Sequence, residues 1–469
     1  MEKHRLRLLT LNAWGLKYIA KHRKARLRWI ANQLASSDYD VVALQEVWVE
    51  EDWLYIDEQC RLEFPYRRLF RSGIVAGPGL AILSKIPINN SFLYRFPING
   101  RPSAFFRGDW LVGKSIAITI LEPLTPETPP IALLNSHMHA PYASSGDAAY
   151  STHRACQAWD MAKLVKTLKQ ANYAVIQVGD LNSKPGSLPY KLFTIEGGLA
   201  DSWEILKGDS NPLSEEIARM HPGDQILKAG VTCNSVFNTW HPHRKPHEAC
   251  RLDYVLIDSQ TLTPVSAAVR FTEKLPPPIS CSASDHFAFA VDLVVNKRDV
   301  TNHHDDHSSE ELFSLYRETH EEISWYLRET IPFQANWRKY HFFISIILVI
   351  AIHIGITFAS QRQAWSSVLL SLASTLIAVS GVINGLIWGF GVRSESPMSK
   401  YSISSDRKSI SSDNTETRSV ISSLASVKSK ALNTFKCSKH VDPEETKPRK
   451  YDEKSKDSYE AKAAYMAIR

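Results

Sequence analysis

Over residues 1–297 short apolar runs alternate with longer amphipathic stretches. The runs are 6–12, 41–45, 80–84, 115–121, 131–136, 174–178, 252–257 and 287–295. They are rich in Val, Ile and Leu, and several are apolar throughout. That predicts strands buried on both faces, with helices packed outside them. Residues 24–34 and 147–169 carry the mixed polar–apolar pattern of such helices. Pro-rich stretches at 122–130 and 275–278 separate strands. No repeat of solenoid length is present.

The pattern changes after residue 297. Residues 298–310 are polar. His303, His304, Asp305, Asp306 and His307 there are metal-ligating types, but the stretch reads as a solvated linker. Within 311–331, Leu312, Leu315, Tyr316, Ile323 and Leu327 recur at helical spacing. This predicts an amphipathic helix, packed on the preceding domain or lying at a bilayer surface. Two uncharged apolar segments follow, 342–359 and 365–392. The first is about 27 Å long as a helix, enough to span a bilayer. Only Ser360, Gln361, Arg362, Gln363 and Ala364 separate them, so a helical hairpin is expected, with both flanks in one compartment. Arg338 and Lys339 precede it, Arg393 and Lys400 follow it, and Arg362 alone sits in the turn. The positive-inside rule places the large domain and the tail in the cytoplasm. The endoplasmic reticulum is the expected membrane, and the mitochondrial outer membrane also fits. Gly381, Gly385 and Gly389 form a small-residue stripe, expected to pack on the first helix rather than on a second copy. The division is therefore 1–297, 298–341, 342–392 and 393–469.

Composition narrows the class. The 469 residues are 44% hydrophobic and 22% charged, which excludes a wholly disordered chain and leaves ample length for a core. The net charge is +6, and roughly +5 of it lies in 393–469. The near-neutral remainder argues against a duplex-nucleic-acid binder. The tail is rich in Ser, Lys and Glu and is expected to be disordered. Its basic bias would draw it to anionic lipid by about 1 kcal/mol per residue near the surface; a solubilising role is the alternative. Cys60, Cys156, Cys233, Cys250, Cys281 and Cys437 form no CxxC motif, which fits a reducing compartment. The first ten residues are charged and lack the apolar run of a signal peptide.

The candidate chemistry sits at the ends of the apolar runs. They leave Asn12, then Gln45 and Glu46, then Asn135, His137 and His139, then Asp180 and Asn182, then Asp253, and finally Ser284, Asp285 and His286. A carboxylate leaving a dry strand needs a partner, and a hard cation such as Mg²⁺ supplies one. Singly each is weak. Together they are the parts of a Mg²⁺-dependent phosphodiesterase.

The ordered set Leu-Asn-Ala-Trp-Gly, Leu-Gln-Glu-Val-Trp, Asn-Ser-His-Met-His, Gly-Asp-Leu-Asn, Arg-Leu-Asp-Tyr-Val and Ser-Asp-His-Phe resembles the endonuclease/exonuclease/phosphatase superfamily. The resemblance spans about residues 5–297 and implies an α/β four-layer sandwich similar to DNase I. Within it, Asn-Ser-His-Met-His-Ala-Pro-Tyr, the group His153, Arg154, Gln157 and Trp159, and the run from Asn238 through Thr239 to Trp240 resemble the neutral sphingomyelinase family. The length and Ser-rich tail are most similar to the fungal inositol phosphosphingolipid phospholipases C. The signatures of inositol polyphosphate 5-phosphatases are absent, and abasic-site nucleases lack a membrane hairpin.

The resemblance implies roles. Glu46 would be the main Mg²⁺ ligand, with Asn12 and Asp285 nearby or acting through water. His286 would be the general base, Asp253 would fix its tautomer, Asp180 would orient the water, and Asn182 would donate to phosphoryl oxygens. His137 would bind phosphate or protonate the leaving oxygen; the residues leave both open. Asn135 joins the substrate-binding set. The implied substrate is a membrane sphingolipid, giving ceramide and a phosphorylated head group, phosphoinositol or phosphocholine. Anionic phospholipid is the implied activator. No nucleic-acid partner is expected, and the sequence sets no oligomeric state.

Residues 108–115 match the Walker A pattern literally. A P-loop follows a buried strand, opens a helix and uses small residues; here Trp110, Leu111 and Val112 fill the motif and a β-like run follows. The resembled family has a P-loop-like stretch at this place. Asp109 and Lys114 are expected to pair there and respond to lipid phosphate. Phe105, Phe106 and Trp110 mix with Arg101 and Arg107, as at a membrane interface or in an ordinary folded loop. Alternatives to the sphingolipid reading are a nuclease or phosphoinositide phosphatase of the same superfamily, or a membrane scaffold without activity.

Overall fold

A computed structural model describes residues 4–72, 77–101, 104, 107–208, 214–298 and 308–392. Phe105, Phe106, the cluster His303 to His307 and the tail 393–469 lie outside the described residues. The strands are β1 (Arg5–Asn12), β2 (Val41–Gln45), β3 (Tyr66–Phe70), β4 (Leu80–Ser84), β5 (Ile88–Arg95), β6 (Ser115–Leu121), β7 (Ile131–His137), β8 (Ala174–Asp180), β9 (Ala200–Asp201), β10 (Asp253–Ile257), β11 (Leu262–Arg270) and β12 (Ala288–Val295). The longer helices are α1 (Arg23–Ala35), α2 (Glu50–Cys60), α3 (Ser151–Gln170), α4 (Ser309–Trp325), α5 (Ile331–Arg362) and α6 (Ser366–Leu386).

The strands form two six-stranded sheets, β11-β12-β1-β2-β4-β3 and β5-β6-β7-β8-β10-β9. Parallel pairing occurs at β1–β2 and at β7–β8, which α1 and α3 respectively connect. Side chains alternate across each strand, and both faces are apolar. Leu6, Leu8, Val41, Ala43 and Ile82 meet Leu133, Ile176, Val178 and Val255 between the sheets. Leu9, Leu11, Val42 and Leu44 face Leu27, Ile30 and Leu34 of α1 and Trp53 and Ile56 of α2. On the opposite outer face Ile116, Leu134, Val175 and Leu256 pack on Ala155, Trp159 and Val165 of α3. The layers run helix, sheet, sheet, helix, as the four-layer expectation required.

The amphipathic segment packs on this domain. Leu315 joins the α3 layer, and Ile323 packs with Ile98 and Cys156. Tyr316 Oη donates to Glu196 at 2.7 Å, and Lys191 pairs with Glu318 at 2.8 Å. The helix then continues through Tyr326–Thr330 into α5, giving one helix over Ser309–Arg362. The expected turn contracts to a few residues between α5 and α6. Gly381 packs against Ser345 and Gly385 against Phe342, while a side chain placed at Gly389 would meet open space among the described residues. His341 with Asn384, and His353 with Ser374, each 3.3 Å apart, add polar contacts across the hairpin.

Candidate active site

Strand parity builds the site. On the inter-sheet face, β1 reads Leu6, Leu8, Thr10, Asn12; β7 reads Ile131, Leu133, Asn135, His137; β8 reads Ala174, Ile176, Val178, Asp180. In β10 Asp253 shares its face with Val255 and Ile257. Each face turns from apolar to polar at the same end of the sandwich. One layer deeper, Gln45 Nε2 donates to Thr10 Oγ1 at 3.0 Å and Asn135 Oδ1 at 2.8 Å. Asn135 Nδ2 donates to the carbonyls of Leu44 and Ala81, both at 3.1 Å. Asn135 thus stitches the two sheets beneath the site, and the structure does not bring its amide to the catalytic cluster.

Asn12 Nδ2 donates to Glu46 Oε1 and to Asp180 Oδ2, each at 3.0 Å. Its Oδ1 accepts from the Trp14 N–H at 3.1 Å, so its oxygen faces the backbone rather than the carboxylates. His137 Nε2 lies 3.6 Å from Asp180 Oδ2 and 3.9 Å from Glu46 Oε1. His286 Nδ1 is bonded to Asp253 Oδ2 at 2.8 Å, and its Nε2 lies 3.8 Å from Asp180 Oδ2. The Asn182 backbone N–H donates to Asp180 Oδ1 at 3.0 Å, and its Nδ2 gives one proton to the Met138 carbonyl. Glu46 and Asn182 both sit at positive φ, 60° and 47°. Such left-handed backbone in residues other than glycine concentrates at functional sites.

Electrostatics divide the two histidines. Burial opposes charge on His286, but Asp253 and then Asp180 outweigh it and hold the ring well above its ordinary value. Burial, then Lys114, hold His137 well below. Burial, then the charge of Asp285, push Glu46 up; burial pushes Asp180 up as well. Asp180, Asp253 and His286 each offer a ligand atom within 4.8 Å of the others. Asp253 Oδ2 is taken by the His286 ring while its Oδ1 is buried without a partner, and Asp180, Glu46 and Asp285 are the other carboxylates of the cluster. Buried carboxylate oxygens in excess of positive charge are a donor set that fits a hard divalent cation.

Asp109 and Lys114 lie beside this cluster, with Lys114 Nζ 3.3 Å from Asp109 Oδ1. Asp109 also accepts from Tyr142 Oη at 2.5 Å and lies 3.7 Å from His139 Nε2. The P-loop-like stretch forms a single turn of helix, Asp109–Val112, between two left-handed or irregular glycines and leads into β6. That is not the strand–loop–helix order of a P-loop.

Sequence reasoning missed Arg26, which holds the frame of the site. Arg26 is fully buried and donates to the carbonyls of Ala13, Trp14, Lys21 and Ala283. Its guanidinium also lies over the Trp14 ring, 4.7 Å from the centroid. It joins the loop after Asn12 to the loop before Asp285. Ser284 Oγ donates to the Asn12 carbonyl at 2.6 Å, and Asn238 Nδ2 to the Ser284 carbonyl at 2.9 Å. Trp48 Nε1 donates to Glu46 Oε2 at 3.3 Å. The Arg26 contacts go to backbone carbonyls, and no local pattern announces them; Arg26 reads as one more cation in a basic helix.

Residues 9–286 match the Endonuclease/Exonuclease/phosphatase family. The chain is 49% identical over 421 residues to the inositol phosphosphingolipids phospholipase C of Saccharomyces cerevisiae, covering 83% of this chain and 87% of that one. It is 34% identical to the protein of the same name from Schizosaccharomyces pombe, covering 82% and 89%. It is 35% identical to sphingomyelin phosphodiesterase 2 of Mus musculus over 213 residues, covering 44% and 49%. The chain belongs to the endonuclease/exonuclease/phosphatase family.

Proposed function

We propose that this member of the endonuclease/exonuclease/phosphatase family is a Mg²⁺-dependent phosphodiesterase of phospholipase C type that cleaves inositol phosphosphingolipids to ceramide and a phosphorylated head group. One observation carries the reading: the buried His286–Asp253 dyad faces Asp180, which Asn12 links to Glu46, in a chain 49% identical to the Saccharomyces cerevisiae phospholipase C. A match over 83% of the chain also extends beyond residues 9–286.

Asp253 accepts the Nδ1 proton of His286, so Nε2 is the atom that takes a proton from the attacking water. Asp180, fixed by Asn12 and by the Asn182 N–H, orients that water. His137, held neutral by burial and Lys114, donates a hydrogen bond to a phosphoryl oxygen. The remaining amide proton of Asn182 serves the same group. Glu46, braced by Asn12 and Trp48, would hold Mg²⁺ with Asp285 nearby, and the ion supplies positive charge to the phosphoryl group. Water adds to phosphorus and gives one proton to His286, the bond from phosphorus to the ceramide oxygen breaks, and that oxygen takes a proton from solvent so that ceramide leaves as the alcohol; His286 then returns its proton to solvent.

The hairpin of α5 and α6 is read as a membrane anchor, with the domain and tail on the cytoplasmic side of the endoplasmic reticulum. Support comes from Ile347, Phe358, Leu372 and Leu376, each more than 60% exposed along these helices, which calls for an apolar surround. Anionic phospholipid is the activator in this reading. Purified protein in mixed micelles of phosphatidylserine and inositol phosphoceramide with Mg²⁺ should release ceramide. His286→Ala and Glu46→Ala should each lower turnover by about 10³-fold or more. Turnover retained in both variants would refute the assignment of this site.

A further inference from the structure

Two thiols lie against the catalytic dyad without taking part in it. Cys233 and Cys250 face each other across an antiparallel bridge. The Cys233 N–H donates to the Cys250 carbonyl and the Cys250 N–H to the Cys233 carbonyl, both at 3.0 Å. This is the hydrogen-bonded type of antiparallel pair, whose Cα atoms lie about 5.5 Å apart with both side chains on one face. A disulfide needs a Cα separation of about 4.4–6.8 Å. The two thiols interact with each other, and each shifts the other's titration.

The pair is wired to both members of the dyad. Cys233 also bridges the backbone of His286, and the Phe287 N–H donates to the Thr232 carbonyl at 2.8 Å. Thr232 Oγ1 accepts from the N–H groups of Leu252 and Asp253 at 3.1 and 3.3 Å. A covalent S–S bond of about 2.05 Å would tie segment 232–233 to segment 250–253. His286 hangs from the first segment and Asp253 from the second.

We propose that Cys233 and Cys250 form a reversible disulfide that disengages the His286–Asp253 dyad and lowers turnover, so that a peroxide closes the site and a dithiol reopens it. The link to turnover rests on the phosphodiesterase reading above; the disulfide does not. The Cys250 thiolate attacks one peroxide oxygen, the O–O bond breaks, and a sulfenic acid and hydroxide result. The displaced thiol proton converts the hydroxide to water. The Cys233 thiol then attacks the sulfenic sulfur, the S–S bond forms, and the S–O bond breaks with loss of a second water. Two electrons pass from the thiols to the peroxide.

The remaining described thiols are poor competitors. Burial pushes Cys60 up to about 12 and raises Cys156 and Cys281. Cys250 is shifted down, first by the Cys233 hydrogen bond and then by the charges of Lys184 and His286. Exposure does not separate the thiols, Cys281 being as open as Cys233 at 7%, but Cys250 alone among the described thiols is shifted down. The attacking thiolate is favoured by such a setting, and a bridge between paired strands is the labile kind suited to a reducing compartment.

The test treats the full-length protein in detergent micelles with hydrogen peroxide, blocks free thiols, and maps peptides without reduction. A linked peptide joining 233 to 250 is expected, with turnover down at least tenfold and restored by dithiothreitol. Cys250→Ser and Cys233→Ala should each turn over substrate before treatment and resist the peroxide. Absence of the linked peptide overturns the proposal. So does a linked protein with unchanged turnover, or equal peroxide loss in the variants. If the reduced parent turns over no sphingolipid, the phosphodiesterase reading fails, and the peptide map still decides the disulfide.

Discussion

Two buried histidines share one site and carry opposite electrostatics. His286 is pushed up by Asp253 and Asp180 against its burial, while His137 is pushed down by burial and Lys114. Titratable groups driven apart in this way separate proton transfer from hydrogen bonding. Asp253→Asn would keep the shape but favour the wrong tautomer of His286, so turnover should fall by about 10²–10⁴-fold with the fold intact. Turnover within a factor of two of the parent, measured by ceramide release, would contradict the assigned proton path. Asp109 gives a second prediction. Burial works against its charge, yet His139, Lys114 and Tyr142 hold it below the ordinary carboxylate range. Its folded value lies below its unfolded value, so its contribution is complete above about pH 4 and is lost as pH falls through the depressed value. Asp109→Asn leaves buried Lys114 unpaired and should cost about 3–5 kcal/mol at neutral pH. Urea unfolding should show the gap to the parent narrowing towards pH 3, and a constant gap would contradict the pairing.

At the scale of elements, legibility followed burial. The eight strands predicted from apolar runs are the interior strands of both sheets: β1, β2, β4 and β12 in one, and β6, β7, β8 and β10 in the other. The four that were not predicted, β3, β11, β5 and β9, are the four sheet edges. An edge strand faces solvent on one side and carries charge or bulges. Tyr66–Phe70 reads Tyr, Arg, Arg, Leu, Phe, and β5 and β11 each contain a register shift. The site residues were legible because they end interior strands, where a polar side chain interrupts an apolar run. Asn135 shares the parity of His137, but it lies two residues earlier on β7 and so one layer down, bonded to the Leu44 and Ala81 carbonyls. Helix α3 shows a dependence that no local pattern carries. It begins after Tyr150 in a left-handed conformation with no side-chain cap. Glu322 of α4 accepts from Thr152 Oγ1 at 2.7 Å and also from Ser151, which places a carboxylate at that helix's positive end. Glu322→Ala should cost about 1–2 kcal/mol, read as a lower denaturant midpoint. An unchanged midpoint would mean the contact adds nothing to docking.

For the whole molecule, the catalytic sandwich and the hairpin share one continuous helix. Leu315, Ile323 and Tyr326 are buried against the sandwich, and the same helix continues to Arg362. A truncation after residue 340 should keep turnover in detergent micelles. One after residue 297 strips α4 from the α3 layer and should lower the unfolding midpoint. Equal stability of the two truncations would mean that α4 belongs to the anchor alone. The central claim is that the site cleaves a sphingolipid phosphodiester. It is tested most directly by offering the purified protein inositol phosphoceramide, sphingomyelin, phosphatidylinositol and an abasic-site oligonucleotide in parallel, with phosphatidylserine and Mg²⁺ present. The account predicts ceramide from inositol phosphoceramide at the highest rate, abolished in His286→Ala. Cleavage of the oligonucleotide or of phosphatidylinositol in preference to either sphingolipid would contradict it.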